Sequence, residues 1–474
     1  MSAPLVFNGI DGLSGEYLLA PSTDDAIGRG VLGLAPETAP AARRPAPTRG
    51  AVTGVDTRRL DATGWALVMA ESADPRTAAR NEQVREALAP LLAWREAEAG
   101  DLYRGGAGRS LSYLQGESAA DFLSRYGARF EDPVNPRRVP YYLLLVGGPD
   151  EIPYSVQFDL DMQYGVGRIY FDAAEDYAAY ARGVMAVAQG GQRLPPSVAL
   201  FGVCNPDDAA TARTAAELIE PLAGSLARTR PELELRTFAG EQAGRAELAG
   251  LMGGERTPAV LFTACHGVGF PCGSPQQREL QGALVCQDWP GPRGGGLARG
   301  HYFGAADLGA EARVAGLVAF FFGCYSAGTP EFDSFRKDDL GRPLRIASAP
   351  LISRLPQRLL SHPGGGALAV VGHVDRAWTT SFSDGPSRLP QIGVFESALE
   401  ALLDGQRLGA AMEYFGERYG ALGAQMCGLW EARAETRHVP AEEFSRVWRA
   451  KNDARNFVVF GDPAVQLACC ASGP

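Results

Sequence analysis

A thiol becomes a strong nucleophile near neutral pH only beside a base or a positive field, and this sequence offers one such pairing. In PAVLFTACHGVGF, residues 258–270, an apolar run of strand length ends at Cys265 and delivers His266, with Gly267 behind it. In GLVAFFFGCYSAG, residues 316–328, one of the most apolar runs in the chain ends at Gly323 and delivers Cys324. If the two runs are neighbouring parallel strands, a base and a thiol project at the same height from one edge of a sheet. Gly323 and Gly328 permit tight turns and a close substrate backbone, and the backbone N–H groups of Gly267 and Cys324 are the donors expected to hold an oxyanion. Cys265 is the rival nucleophile, but successive strand side chains point to opposite faces, so it is expected to face the core. Taken singly, a strand-end histidine is more often structural and a buried cysteine more often inert. The repeated geometry carries the inference.

Short apolar runs alternate with amphipathic stretches, the pattern of strands covered by crossover helices. Strands are expected at Trp65 to Ala70, Tyr141 to Val146, Ser197 to Val203, Leu233 to Phe238, Ala259 to Ala264, Gly316 to Phe322, Ala367 to Val371 and Phe457 to Phe460. Most are continuously apolar, as strands buried on both faces should be. Helices are expected at Thr77 to Ala97, Ala174 to Gln189, Ala209 to Leu226, Leu351 to Leu360 and Val394 to Tyr419, where apolar residues recur at three and four. The fold class is therefore α/β, with a mostly parallel central sheet flanked by helices on both faces. Residues 1–50, rich in Ala, Pro, Gly and Arg, read as an irregular arm and linker. Residues 51–136 read as an α/β extension, 137–468 as the main domain and 469–474 as a short tail. Long stretches at Val268 to Ala315, Thr329 to Pro350 and Thr379 to Gly393 each follow a strand end, where ligands of parallel sheets bind.

Composition narrows the partners. The 474 residues are 46% hydrophobic and 21% charged, which is ordinary globular usage. A formal net charge of -10 argues against nucleic acid and against an anionic membrane surface. The first residues show no cationic segment followed by an apolar core, and no run is long enough to span a membrane, so a cytoplasmic location is expected. Eight cysteines in such a chain read as reduced thiols. Cys265, His266, Cys272 and Cys286 do not have the spacing of a common zinc site, so no metal and no cofactor is expected.

The chain resembles the gingipain-like branch of the caspase-fold (clan CD) cysteine peptidases over roughly residues 137–467. Besides the two strand ends, the resemblance is carried by YYLLLVGGPDEIP at 141–153, YGVGRIYFD at 164–172, GGALAVVG at 365–372 and NFVVFGDPAVQL at 456–467. The interval from 266 to 324 is close to the ~50 residues by which the caspase histidine precedes its cysteine. The resemblance implies a cysteine endopeptidase with a His266–Cys324 dyad, a protein or peptide substrate and an acyl-thioester intermediate; the motif offers no third catalytic residue.

In the resembling family the region after the next strand helps build the pocket for the residue preceding the cut. Asp375 as an acidic floor and Trp378 as a wall would suit Arg or Lys, with Glu331 and Asp333 as alternative acids. Against this, Asp375 could simply pair with Arg376 or Arg168, and an Asp-specific pocket would need Arg168, Arg336 and Arg376 to converge. The sequence has neither an export signal nor a C-terminal immunoglobulin-like domain, which favours regulated intracellular cleavage. Gating by the long loops or by an activating partner is the expected control, with self-cleavage at Arg293, Arg299, Arg336, Lys337 or Arg342. The competing readings are a silent scaffold or sensor of the same fold, and a thiol acyl transferase or amidase.

Overall fold

The computed structural model describes residues 5, 7–18, 23, 27, 50–51, 54–106, 108–191, 194–337, 342–383, 391–435 and 439–468. The tail at 469–474, with Cys469 and Cys470, and most of the arm lie outside the described residues. Fifteen strands matter for the site and its support. They are β1 (Gly9–Asp11), β2 (Trp65–Ala70), β3 (Tyr103–Arg104), β4 (Leu111–Tyr113), β5 (Tyr142–Val146), β6 (Gly165–Ile169), β7 (Ser197–Gly202), β8 (Glu234–Ala239), β9 (Val260–Ala264), β10 (Gly267–Gly269), β11 (Leu284–Val285), β12 (Tyr302–Phe303), β13 (Val318–Phe322), β14 (Ala369–His373) and β15 (Phe457–Gly461).

Eleven of them form one sheet, in the order β3-β2-β5-β6-β15-β14-β13-β9-β7-β8, with β4 also on β2. Every pairing in it is parallel except one. β14 and β15 run antiparallel, from Ala369 opposite Gly461 to His373 opposite Phe457. This seam joins two half-sheets of parallel strands. β5, β6, β7, β9, β13, β14 and β15 are buried at every position, which follows from continuous apolar runs covered on both faces. Aromatic side chains interlock across the seam, where Phe322, Phe395 and Phe415 pack on Phe457 with ring centroids 4.5–6.3 Å apart.

Within residues 51–136, β2 pairs with β5 in register from Trp65–Tyr142 to Met69–Val146, so this stretch supplies an edge of the same sheet. The expected helix at Thr77 to Ala97 is two, Pro75–Ala87 and Ala89–Ala99. Pro90 has no N–H to continue the first helix but is tolerated in the first turn of the second. The long helix expected from Val394 ends at Leu403, because Gly405 turns the chain at φ +79°, and resumes as Leu408–Ala411 and Glu413–Ala434. Leu351–Ile352 is extended rather than helical and pairs with Gly328–Thr329, just beyond Cys324.

The described part of the arm also departs from expectation. Phe7 to Ile10 are buried, and β1 joins β10, β11 and β12 in a second, small sheet. Its core of Ile10, Val268, Val285 and Trp289 draws on the stretch after His266, which is therefore a packed insertion.

Candidate active site

Four adjacent strands of one half-sheet, β14, β13, β9 and β7, run parallel, so their carboxyl ends share one edge. Phe322 of β13 lies opposite Ala264 of β9. Cys324 and His266, each two residues further on, consequently emerge at the same level. The backbones approach so closely there that a Cβ on Gly267 would sit 1.7 Å from the Cys324 carbonyl oxygen, so only glycine fits.

His266 is fully buried, held edge-on by the rings of Tyr17 and Trp289 at 5.9 and 5.7 Å. Its Nε2 lies 2.6 Å from Asp208 Oδ2, whereas its Nδ1 has no protein partner. Asp208 follows β7, caps the helix Ala209–Thr214 through the Ala210 N–H, and accepts hydrogen bonds from the Tyr17 and Thr211 hydroxyls. Burial by itself would raise this carboxyl, but the neighbouring imidazole and these hydrogen bonds outweigh it and hold Asp208 well below the usual carboxylate range. Against an ionised Asp208, the neutral imidazole keeps its proton on Nε2 and its lone pair on Nδ1. That is the tautomer a proton acceptor needs.

Sequence reasoning missed Asp208. The available signal was an acidic pair, Asp207–Asp208, in the short connection between a buried strand ending at Gly202 and a helix starting at Ala209. What the sequence could not give was the order β13-β9-β7, which sets that strand end beside His266.

Cys324 is also fully buried, and burial raises its thiol far above the ordinary range despite the Ala377 N–H donated to Sγ at 3.3 Å. What covers it is the N-terminal segment. The Asn8 carbonyl oxygen accepts from Gly267 N–H at 3.0 Å and from Cys324 N–H at 2.8 Å, the two donors expected for an oxyanion. Cys265 faces inward as expected, its thiol pushed up to about 12 by burial.

The acidic pocket expected near Cys324 is not open. Arg376 makes a two-pronged ion pair with Asp333 at 2.6 and 2.7 Å, and Asp375 Oδ1 lies 3.5 Å from the same guanidinium. All three are buried, so the acids are neutralised inside the protein rather than presented to a ligand. Glu331 pairs with Arg345. The Trp378 ring meets Phe7 at 5.2 Å and Phe335 at 5.0 Å. Asp453 holds this stretch of chain by accepting the backbone N–H of Trp378 at 3.0 Å, with His373 Nε2 3.1 Å from the same oxygen.

Arg168 points elsewhere, to Gln157 and the carbonyls of Gly147 and Ile152. Of the basic residues expected to reach the cleft, Arg293 pairs with Asp207 and Arg299 with Asp307, while the side chains of Arg336 and Lys337 lie outside the description. Among the described residues no group of three or more His, Cys, Asp or Glu is arranged to hold a metal, and no helix is long and apolar enough to cross a membrane.

No protein-family model matches the sequence, and no curated protein matches it. Solved structures are similar in chain path. The complex of the pro- and mature domains of Porphyromonas gingivalis RgpB shares 11% identity over 85% of this chain and 79% of its own, at a TM-score of 0.44. The Arg-specific cysteine proteinase gingipain R shares 12% over 85% and 78%, at 0.42. The Saccharomyces cerevisiae separase–securin complex shares 8% over 68% of this chain and 15% of its own, at 0.30.

Proposed function

We propose that this chain is a cysteine endopeptidase in which Cys324 is the nucleophile, His266 the proton carrier and Asp208 the residue that orients His266. The observation that carries the reading is one carbonyl oxygen held by the N–H groups of Gly267 and Cys324 beside the Cys324 thiol. Two backbone donors converging on an acyl oxygen next to a nucleophile is the arrangement that stabilises a tetrahedral intermediate of acyl transfer. His266 Nδ1 takes the thiol proton, sulfur attacks the peptide carbonyl, and the imidazolium, steadied by Asp208, protonates the leaving amine. Water then hydrolyses the thioester. Extended protein or peptide chain is the natural substrate, because the site already pairs with extended backbone on both sides of Cys324. The described cysteines at 204, 265, 272, 286 and 324 are free thiols, which supports a reducing, cytoplasmic setting.

A peptide library incubated with wild type, Cys324→Ala, His266→Ala and Cys265→Ala tests the assignment. Hydrolysis is expected to vanish in the first two variants and to persist in the third, with unchanged circular dichroism throughout. Full turnover by Cys324→Ala would sink the mechanism.

A further inference from the structure

The segment Phe7–Asp11 crosses the site as an extended chain with a fixed direction. Before Cys324, Phe7 bridges Trp378 in the antiparallel sense and the Asn8 N–H donates to the Ala377 carbonyl at 3.1 Å. After it, Gly9, Ile10 and Asp11 run parallel to Gly267, Val268 and Gly269. Between the two, the Asn8 carbonyl lies in the Gly267–Cys324 cradle, and Gly9 is pressed against the sulfur: a Cβ on Gly9 would sit 2.8 Å from Sγ. A peptide bond is thus presented to the thiol with its oxygen on the two donors and a glycine on the leaving side.

The Asn8 side chain is enclosed as closely as its backbone. It is 0% exposed, and its Nδ2 lies 3.2 Å from the Cys265 carbonyl oxygen and 3.3 Å from Thr214 Oγ1. Thr214 is itself oriented by donating to the Ala210 carbonyl at 2.8 Å, and it ends the helix Ala209–Thr214 where a π-helical turn, Ala215–Ile219, begins. A backbone carbonyl only accepts, so the Cys265 oxygen demands a donor at this spot. A carboxamide NH2 supplies one. A carboxylate would set two acceptors against each other, and an aliphatic side chain would leave the carbonyl unpaired in a closed pocket.

From this contact set, and resting on the peptidase reading above, we infer that the site takes asparagine as the residue preceding the cut and that the Asn8–Gly9 bond is its built-in substrate. The step balances with the groups present. The Cys324 thiol gives its proton to His266, sulfur bonds to the Asn8 carbonyl carbon, the bond to the Gly9 nitrogen breaks, and His266 returns the proton to that nitrogen. Water then frees the Asn8 carboxyl group and regenerates the thiol. Cleavage releases the chain up to Asn8 from the Trp378 side, while β1 stays paired with β10. Until then the segment blocks access to the thiol, so the same cut that reads out the specificity opens the site.

Intact mass and N-terminal sequencing of wild type and Cys324→Ala test the cut, and peptides of the form Phe-X-Gly-Ile, with X as Asn, Asp, Ala or Arg, test the pocket. The expected results are a new amino terminus at Gly9 in wild type alone, and kcat/KM for X = Asn on the order of 100-fold above Asp and Ala. Thr214→Val should lower the Asn rate about tenfold and Thr214→Ser should restore it, a rescue that a purely packing role for Thr214 would not give. Three results overturn the inference. Turnover that favours Asp, Ala or Arg removes the asparagine pocket while leaving a peptidase standing. A Gly9 terminus in Cys324→Ala as well, or an intact chain in an enzyme that turns over peptides, removes the self-cleavage. An intact chain with no peptide hydrolysed and no selective alkylation of Cys324 brings down the peptidase reading too.

Discussion

The two half-sheets are built from the same material and do different work. In both, apolar strands are buried on two faces, and in both the carboxyl ends open into loops. Beyond β5 and β6 those loops are tied off by hydrogen bonds and ion pairs. The Gly148 N–H donates to Glu151, Glu151 pairs with Arg80, and Asp172 holds both Arg278 and Arg354. Beyond β7, β9, β13 and β14 stand a carboxylate, an imidazole with a bare nitrogen, a thiol and a chain of extended backbone. Asp172 even reaches across to the other set of loops, since Arg278 lies in the stretch after His266 and Arg354 follows Ile352 beyond Cys324. What stands at the strand ends, more than the strands themselves, separates the half that can do chemistry from the half that supports it.

The largest effect that sharpens this contrast is expected at Asp208. Replacing it with Asn leaves the ring tautomer of His266 unspecified, and kcat is expected to fall on the order of 10² to 10⁴-fold with KM little changed. Steady-state kinetics on a cleavable peptide read this out. An unchanged kcat would reduce Asp208 to a helix cap.

In the supporting half the counterpart is Asp462, which accepts from Trp65 Nε1 at 2.9 Å and Arg95 Nε at 2.7 Å, with both charged groups nearly inaccessible. Asp462→Ala leaves the buried Arg95 guanidinium with Glu98 alone and the Trp65 Nε1–H unpaired, and should cost about 3 kcal/mol in urea unfolding. Turnover per folded molecule should not move. A change in kcat without loss of stability would break the division between the halves.

A smaller effect follows from titration. Asp208 is held below its unfolded value, so its stabilising contribution is present above the unfolded pKa, about 4, and is lost as pH falls toward the folded value. The stability gap between wild type and Asp208→Asn should therefore be about 1–3 kcal/mol at pH 7 and shrink below pH 4. Urea melts across that range decide it, and a gap that widens in acid contradicts the assigned direction.

The smallest effect is expected at Glu331, a partly exposed partner of Arg345. Glu331→Gln should change stability by less than about 1 kcal/mol and leave the preference for the residue before the cut untouched. A loss of turnover on basic peptides alone would restore Glu331 as a pocket acid.

His266, Cys324 and their strand ends were legible in the sequence because a buried parallel strand writes its own signature, a continuous apolar run of strand length that a glycine or a polar residue ends. β2, β5, β7, β9 and β13 were readable for the same reason, as was the inward turn of Cys265, which strand alternation dictates. Gly165–Ile169 was harder: GVGRI carries two glycines and a buried arginine whose partners are carbonyls of other segments. For the acids near Cys324 the sequence left two readings open, a pocket floor at Asp375 or its pairing with Arg376; that Asp333, Asp375 and Arg376 lie together in one buried group is visible only in the fold. Asp208 became a partner of His266 only through strand order, a relation between residues 58 positions apart. Asn8 is the extreme case. Its neighbours along the chain are the residues of an Ala- and Pro-rich arm, and only the closing of β1 onto β10 brings its carbonyl to Gly267 and Cys324. Local pattern fixes which segments become strands and where they stop; which strand ends meet, and what lies across them, is set by long-range packing that no local pattern encodes.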